Sequence, residues 1–234
     1  MRSRPMVEGA SLLERAIGYA LGSLRLVARE DLYRATPCHD WDVGDLLAHL
    51  DDSLTALTEA ADLGQVDLGP AMAGGATGGG SAPGLHRGPA GDVGGGREAC
   101  RRRDPVLVLR DRAAEMLGAW ARQVRDHVVI EGCPMAATTV SEVGAVEVAV
   151  HAWDLARACG RPSPMPPLMA GELLDLAQVF VTDADRPARF AGPIAQPRRA
   201  SAQDRLLAFL GRDPGWGPPH RFQAGRGAGR GADR

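Results

Sequence analysis

The spacing of apolar residues constrains this chain most. Leu13, Ile17, Ala20, Leu24 and Val27 recur in steps of four and three, the period that stacks side chains on one face of an α-helix. Val43, Leu47, Leu50, Leu54 and Leu57 repeat it, and so do Leu109, Ala113, Met116 and Trp120. The stretch VEVAVHAWDLARACG, residues 146–160, is apolar almost all round, as suits a helix enclosed by others. Met169, Leu173, Leu176 and Phe180 form a further stripe, and Ser201 to Leu210 a shorter one. Such stripes must be buried against partner helices. The expected fold is all-α: a four-helix bundle with long crossover loops and short additional C-terminal elements.

Local signals set the ends. Ser11 and Glu14 have capping-box spacing, which predicts a first helix from Ser11 to about Ala28. Asp42 is a cap for a second helix reaching about Ala61, and Asp104-Pro105 opens a third. Thr139 and Glu142 start the fourth, and Gly160 with Pro162 ends it. A fifth runs from about Leu168 to Val181, and His127 to Ile130 reads as a short extended segment. Residues 64–103 are low in complexity and rich in Gly, Ala and Pro. Alone they bury too little surface to offset their ordering entropy, so a mobile insertion is expected, or a lid over a site. They contain no GxxxxGK[ST] phosphate loop. The helical domain is assigned to residues 1–216, and 217–234 to a disordered tail.

The formal net charge of -2 gives no reason to expect nucleic acid as a partner. No lysine is present, so all 27 basic residues are arginine and lysine-based covalent chemistry is excluded. No run of about 18 apolar residues predicts a membrane span, and the N-terminus lacks the pattern of a signal peptide. Cys38, Cys100, Cys133 and Cys159 are widely and irregularly spaced, which argues against a zinc knot or a disulfide framework. A cytoplasmic protein with free thiols is expected, acting on a small molecule as a monomer or homodimer.

Glu147 and His151 interrupt an apolar helix one turn apart, so their side chains are neighbours. His49 borders the apolar seam of another helix. Facing helices of a bundle often build metal sites from such residues. Two imidazoles and a carboxylate are also a catalytic zinc ligand set with a fourth position open. The spacing alone is common, however, and a Glu–His hydrogen bond on a half-exposed face explains it equally.

Three motifs carry a resemblance. TPCHDWDVGDLLAHL resembles the first motif of the mycothiol-dependent maleylpyruvate isomerase family, in the DinB/YfiT-like superfamily. The matching residues are Thr36, Pro37, Cys38, Trp41, Asp45, Leu46, His49 and Leu50. The second motif, E-x-x-x-H-x-W-D-L-A, matches at Glu147, His151, Trp153, Asp154, Leu155 and Ala156. ASAQDRLLAFLGRDPGW resembles the closing segment of an actinobacterial metal-binding subgroup of that family. The resemblance implies a DinB/YfiT-like four-helix bundle with a divalent metal, usually zinc, on His49, Glu147 and His151. It also implies a low-molecular-weight thiol such as mycothiol as cosubstrate. The family prototype has a further C-terminal portion, so maleylpyruvate itself does not carry over as substrate.

Other residues have assigned expectations. Asp45 and Asp154 can orient ligand imidazoles from behind. Asp45 can instead serve the helix start, and Asp154 can act catalytically as a proton carrier. Trp41 and Trp153 are expected to pack, and Cys38 to be buried beside the second helix rather than to act as a nucleophile with His39. His127 is expected to pack or hydrogen-bond, and His86 and His220 to be solvated. Arg101 to Arg103 form a solvated charge run or an anion contact. Three functions remain open: a metal-dependent thiol transferase or cis-trans isomerase, a metal-dependent enzyme that activates water for hydrolysis or proton transfer, and a non-enzymatic metal-binding regulatory module.

Overall fold

The computed structural model describes residues 5–66, 104–186 and 189–218. The glycine-rich insertion beyond Val66 lies outside the described residues. So do His86, Cys100, Arg101 to Arg103, His220 and the tail.

Four long helices form a bundle. They are α1 (Pro5–Leu24), α2 (Val43–Leu63), α3 (Pro105–Arg122) and α4 (Ala137–Ala158). Helix α1 packs along α4, α2 lies between α3 and α4, and α3 returns to α1. The predicted stripes supply the core: Leu13, Ile17, Leu47, Leu50, Leu109 and Met116 are all buried. Helix α4 is buried on most sides, including Ala149, Ala152, Leu155 and Ala156. Two shorter helices, α5 (Pro167–Phe180) and α6 (Ala202–Phe209), pack on each other, and α5 also packs on α4. No described helix is long and apolar enough to cross a membrane.

Helix starts divide into those with polar caps and those without. Asp42 accepts the Asp45 amide while the Asp45 carboxylate accepts the Asp42 amide, a reciprocal capping box for α2. Asp104 accepts the Val106 amide ahead of Pro105. Ser201 accepts the Asp204 amide. Two predicted starts were wrong. Helix α1 begins at Pro5, six residues before the predicted Ser11 cap, and ends at Leu24 rather than Ala28. Helix α4 begins at Ala137, not Thr139, because a strand runs straight into it and the Ala137 amide donates to the Asp126 carbonyl. No side-chain cap is needed where the backbone supplies the acceptor.

A small sheet was not foreseen beyond its middle strand. It comprises β1 (Gln65–Val66), β2 (His127–Ile130) and β3 (Cys133–Ala136), in the order β1-β2-β3. β2 and β3 form an antiparallel hairpin whose two loop residues, Glu131 and Gly132, both have positive φ, as a tight hairpin turn requires. β1 joins β2 in parallel. His127 does not pack; it is exposed at the start of β2.

Candidate metal centre

Three elements bring the polar cluster together. Helix α2 supplies His49 and Ser53, α4 supplies Glu147, His151 and Asp154, and the loop before α2 supplies Cys38 and Trp41. That loop is tied by one side chain. The Thr36 hydroxyl donates to the carbonyls of Cys38 and Trp41 and accepts the Cys38 amide. Asp40 takes the left-handed conformation, φ 64°, which Asp tolerates better than most residues. Cys38 and Trp41 are thereby held against α4.

Glu147 is the hub. Its Oε1 lies 2.6 Å from His49 Nε2 and 3.2 Å from His151 Nε2, with the Ser53 hydroxyl at 3.4 Å. His151 is almost wholly buried, and its other ring nitrogen, Nδ1, lies 3.0 Å from Asp154 Oδ2. Asp154 is completely buried and is gripped by Arg212, whose Nε approaches its two oxygens at 3.2 and 3.1 Å. Cys38 Sγ sits 3.2 Å from Asp154 Oδ2 and 3.7 Å from His151 Nδ1. The Trp41 ring lies near both histidines, with centroids 4.8 Å from His49 and 6.2 Å from His151.

The electrostatics follow from this arrangement. Burial disfavours the Glu147 carboxylate, but the two imidazoles outweigh that and hold its pKa well below the usual range. Burial likewise disfavours the His151 imidazolium. The Glu147 charge and the Asp154 hydrogen bond prevail and raise its pKa well above that of a free histidine. Against burial, Arg212 and His151 depress Asp154. The Arg212 guanidinium, buried but set against Asp154, is held still more firmly protonated.

Two groups of side chains have metal-ligating atoms within 4.8 Å of one another: His49, Glu147 and His151, and Cys38, His151 and Asp154. The first suits a divalent cation. Nitrogen and oxygen donors at about 2.0–2.2 Å in tetrahedral array stand about 3.3–3.6 Å apart, close to the 3.2 Å between Glu147 and His151 and wider than the 2.6 Å between Glu147 and His49, and among the described residues no arginine pairs with Glu147. The second suits a cation poorly, because the guanidinium of Arg212 already occupies Asp154 and reaches Cys38 Sγ at 3.8 Å.

The predicted residues fall into place unequally. His49, Glu147 and His151 converge although about a hundred residues separate the first from the others. Asp154 lies behind His151. Asp45 is engaged with the Asp42 backbone, the helix-start role. Trp153 packs, with the Arg157 guanidinium over its ring. His39 is exposed and pairs with Asp40, so it forms no dyad with Cys38. Sequence reasoning missed Arg212 and gave Cys38 no part in the cluster. Both lay in stretches already singled out, GRDPGW and TPCHDW, but neither stretch has a periodicity that points its side chains anywhere.

The chain is 41% identical over 68 residues to an uncharacterized protein of Mycobacterium tuberculosis, MT0763 in strain CDC 1551 / Oshkosh and Rv0738 in strain ATCC 25618 / H37Rv. That match covers 28% of this chain and 37% of the relative, so the chain spans little over a third of the curated relatives' length. No solved structure matches it significantly. Residues 13–156, from α1 to the end of the second motif, match the Mycothiol maleylpyruvate isomerase N-terminal domain. The chain therefore belongs to the mycothiol maleylpyruvate isomerase N-terminal domain family.

Proposed function

We propose that the protein is a divalent-metal enzyme, with zinc as the favoured ion, that activates a low-molecular-weight thiol such as mycothiol for addition to an electrophilic small molecule. The reading rests chiefly on one observation: His49, Glu147 and His151 bring N, O and N donors within 4.8 Å of one another, while Asp154 holds the far nitrogen of His151. His49, Glu147 and His151 would hold the ion. Bound there, it would favour the thiolate form of a coordinated thiol, which is the nucleophile.

The surrounding side chains have separate tasks. Asp154 keeps a proton on Nδ1 of His151, which would leave Nε2 as the nitrogen that holds the ion. Arg212 fixes Asp154 and keeps it ionised. Ser53 steadies the Glu147 carboxylate from α2. Trp41 covers the two imidazoles and shields them from water. Three protein donors leave a position for substrate, which separates a catalytic site from a closed structural one.

The test is metal content. Wild-type protein purified without chelator should carry about one equivalent of zinc or a similar metal, and His151→Ala should carry far less. Loaded protein should then consume mycothiol in the presence of an electrophile. If neither protein takes up added zinc, Glu147 and the histidines only pair with each other and the reading is abandoned. Metal without thiol turnover would favour activation of water.

A further inference from the structure

Cys38 is not one of the proposed ligands, yet it stands inside the cluster. Its Sγ lies 3.2 Å from Asp154 Oδ2. His151 Nδ1 approaches the same oxygen at 3.0 Å and Arg212 Nη2 at 3.1 Å. A carboxylate oxygen accepts more than one donor, and a thiol S–H is a weak one. Cys38 therefore adds to the grip on Asp154 without displacing the imidazole. Asp154 is wholly buried, and in such a setting bonds that share an acceptor act as one network.

The same sulfur joins the loop before α2 to α4. That loop is closed on itself. Ala35 and Asp42 pair across its base. The Thr36 amide donates to the Trp41 carbonyl, and the Trp41 amide to the Cys38 carbonyl. With the three bonds of the Thr36 hydroxyl, these make residues 36–41 one unit. A closed unit is placed by what it touches outside itself. Cys38 Sγ touches Asp154. At the other end of the unit, the Trp41 ring centroid stands 4.8 Å from that of His49 and 6.2 Å from that of His151.

We propose that Cys38 is a positioning residue of the metal centre: its S–H donates to Asp154, which holds the His151 ring, and so fixes the loop that lays Trp41 over both imidazoles. The proposal rests on the metal-binding reading of His49, Glu147 and His151, and adds to it a residue that touches no ion. The role uses the thiol as a hydrogen-bond donor and not as a nucleophile. It also differs from simple burial beside α2, because a side chain of equal bulk without a donor cannot fill it.

Three variants separate a donor from a filler. Cys38→Ser keeps a donor, Cys38→Val fills the space without one, and Cys38→Ala does neither. Cys38 is half-buried in a loop, so all three leave the helical core intact. Zinc affinity, measured by chelator competition, should fall about five-fold in Cys38→Ala and Cys38→Val and stay within about two-fold of wild type in Cys38→Ser. The visible spectrum of cobalt-loaded protein, which reports ligand geometry, should shift in the first two and not in the third. Hydrogen exchange over residues 36–43 of the metal-free proteins should follow the same order, about five-fold faster without the donor. Zinc held by the valine variant and lost by the serine variant would assign Cys38 to packing and overturn the proposal. So would wild-type affinity in all three, or equal loss in all three. Wild-type protein that takes up no zinc would instead sink the metal reading, and the exchange order alone would then decide whether Cys38 anchors the loop.

Discussion

Glu147 Oε1 receives two imidazoles and a hydroxyl, while His151 lies between two carboxylates. In the metal-free protein that places a proton where a cation would go. The Asp154 and Glu147 pKa values are lowered in the fold. Their contribution is therefore present above the unfolded carboxylate range, about 4, and is lost as pH falls through the folded values. His151 is raised, so its contribution is complete below about 6.5 and is lost as pH rises through its folded value. Metal-free protein should be most stable from about pH 4.5 to 6.5 and should weaken above that. Zinc-bound protein should hold its stability into the alkaline range, since the ion replaces the proton. Zinc uptake at pH 7 should also release protons, which calorimetry in buffers of different ionisation enthalpy detects. If uptake moves no protons, His151 is not an imidazolium before metal binds. Glu147 and His151 were legible as a pair because helical period turns i and i+4 to one side, and His49 as a candidate because it borders its helix's apolar seam and matches the family motif. Arg212 was not, because its partner Asp154 is 58 residues away and follows from tertiary docking rather than local spacing.

Helices α2 and α4 must come close for His49 to reach Glu147, and Gly144 marks where they do. A Cβ built there would lie 2.7 Å and 2.9 Å from the two δ-carbons of Leu57, itself part of the core. Gly144→Ala should force the helices apart or Leu57 out of its rotamer, costing about 1–3 kcal/mol. It should also weaken zinc binding, although Gly144 touches no ligand. Urea unfolding and zinc competition measure the two effects. Unchanged zinc affinity would mean that the helix separation does not set the ligand geometry. The helix bodies were readable from their stripes, and Asp42, Asp104 and Gly160 from cap chemistry. The mistaken starts have one physical cause: Ser11–Glu14 and Thr139–Glu142 have the capping-box spacing but lie inside longer helices. The hairpin after α3 escaped in part because CPMA lacks the alternation and β-branched residues that signal a strand.

Across the whole molecule, the chain after α5 returns to finish a site that the bundle begins. Gly211 makes that return possible. Its φ is +80°, and a Cβ there would lie 2.8 Å from the Ala191 carbonyl oxygen, so the turn that delivers Arg212 to Asp154 excludes other side chains. Arg212→Ala should cost about 3–5 kcal/mol by stranding a buried carboxylate. It should also lower zinc affinity about ten-fold or more through the loosened His151. Pairing it with Asp154→Asn should recover much of the stability but not the zinc affinity. Equal recovery of both would mean that Asp154 does not orient the ligand. The late position of Arg212 also has a consequence for biosynthesis. The ribosome delivers every candidate metal ligand by His151, yet the Arg212 guanidinium that grips Asp154 behind it emerges 58 residues after that carboxylate. A nascent chain can thus fold its bundle early, but zinc acquired then would be held loosely and remain exchangeable until the last turn docks.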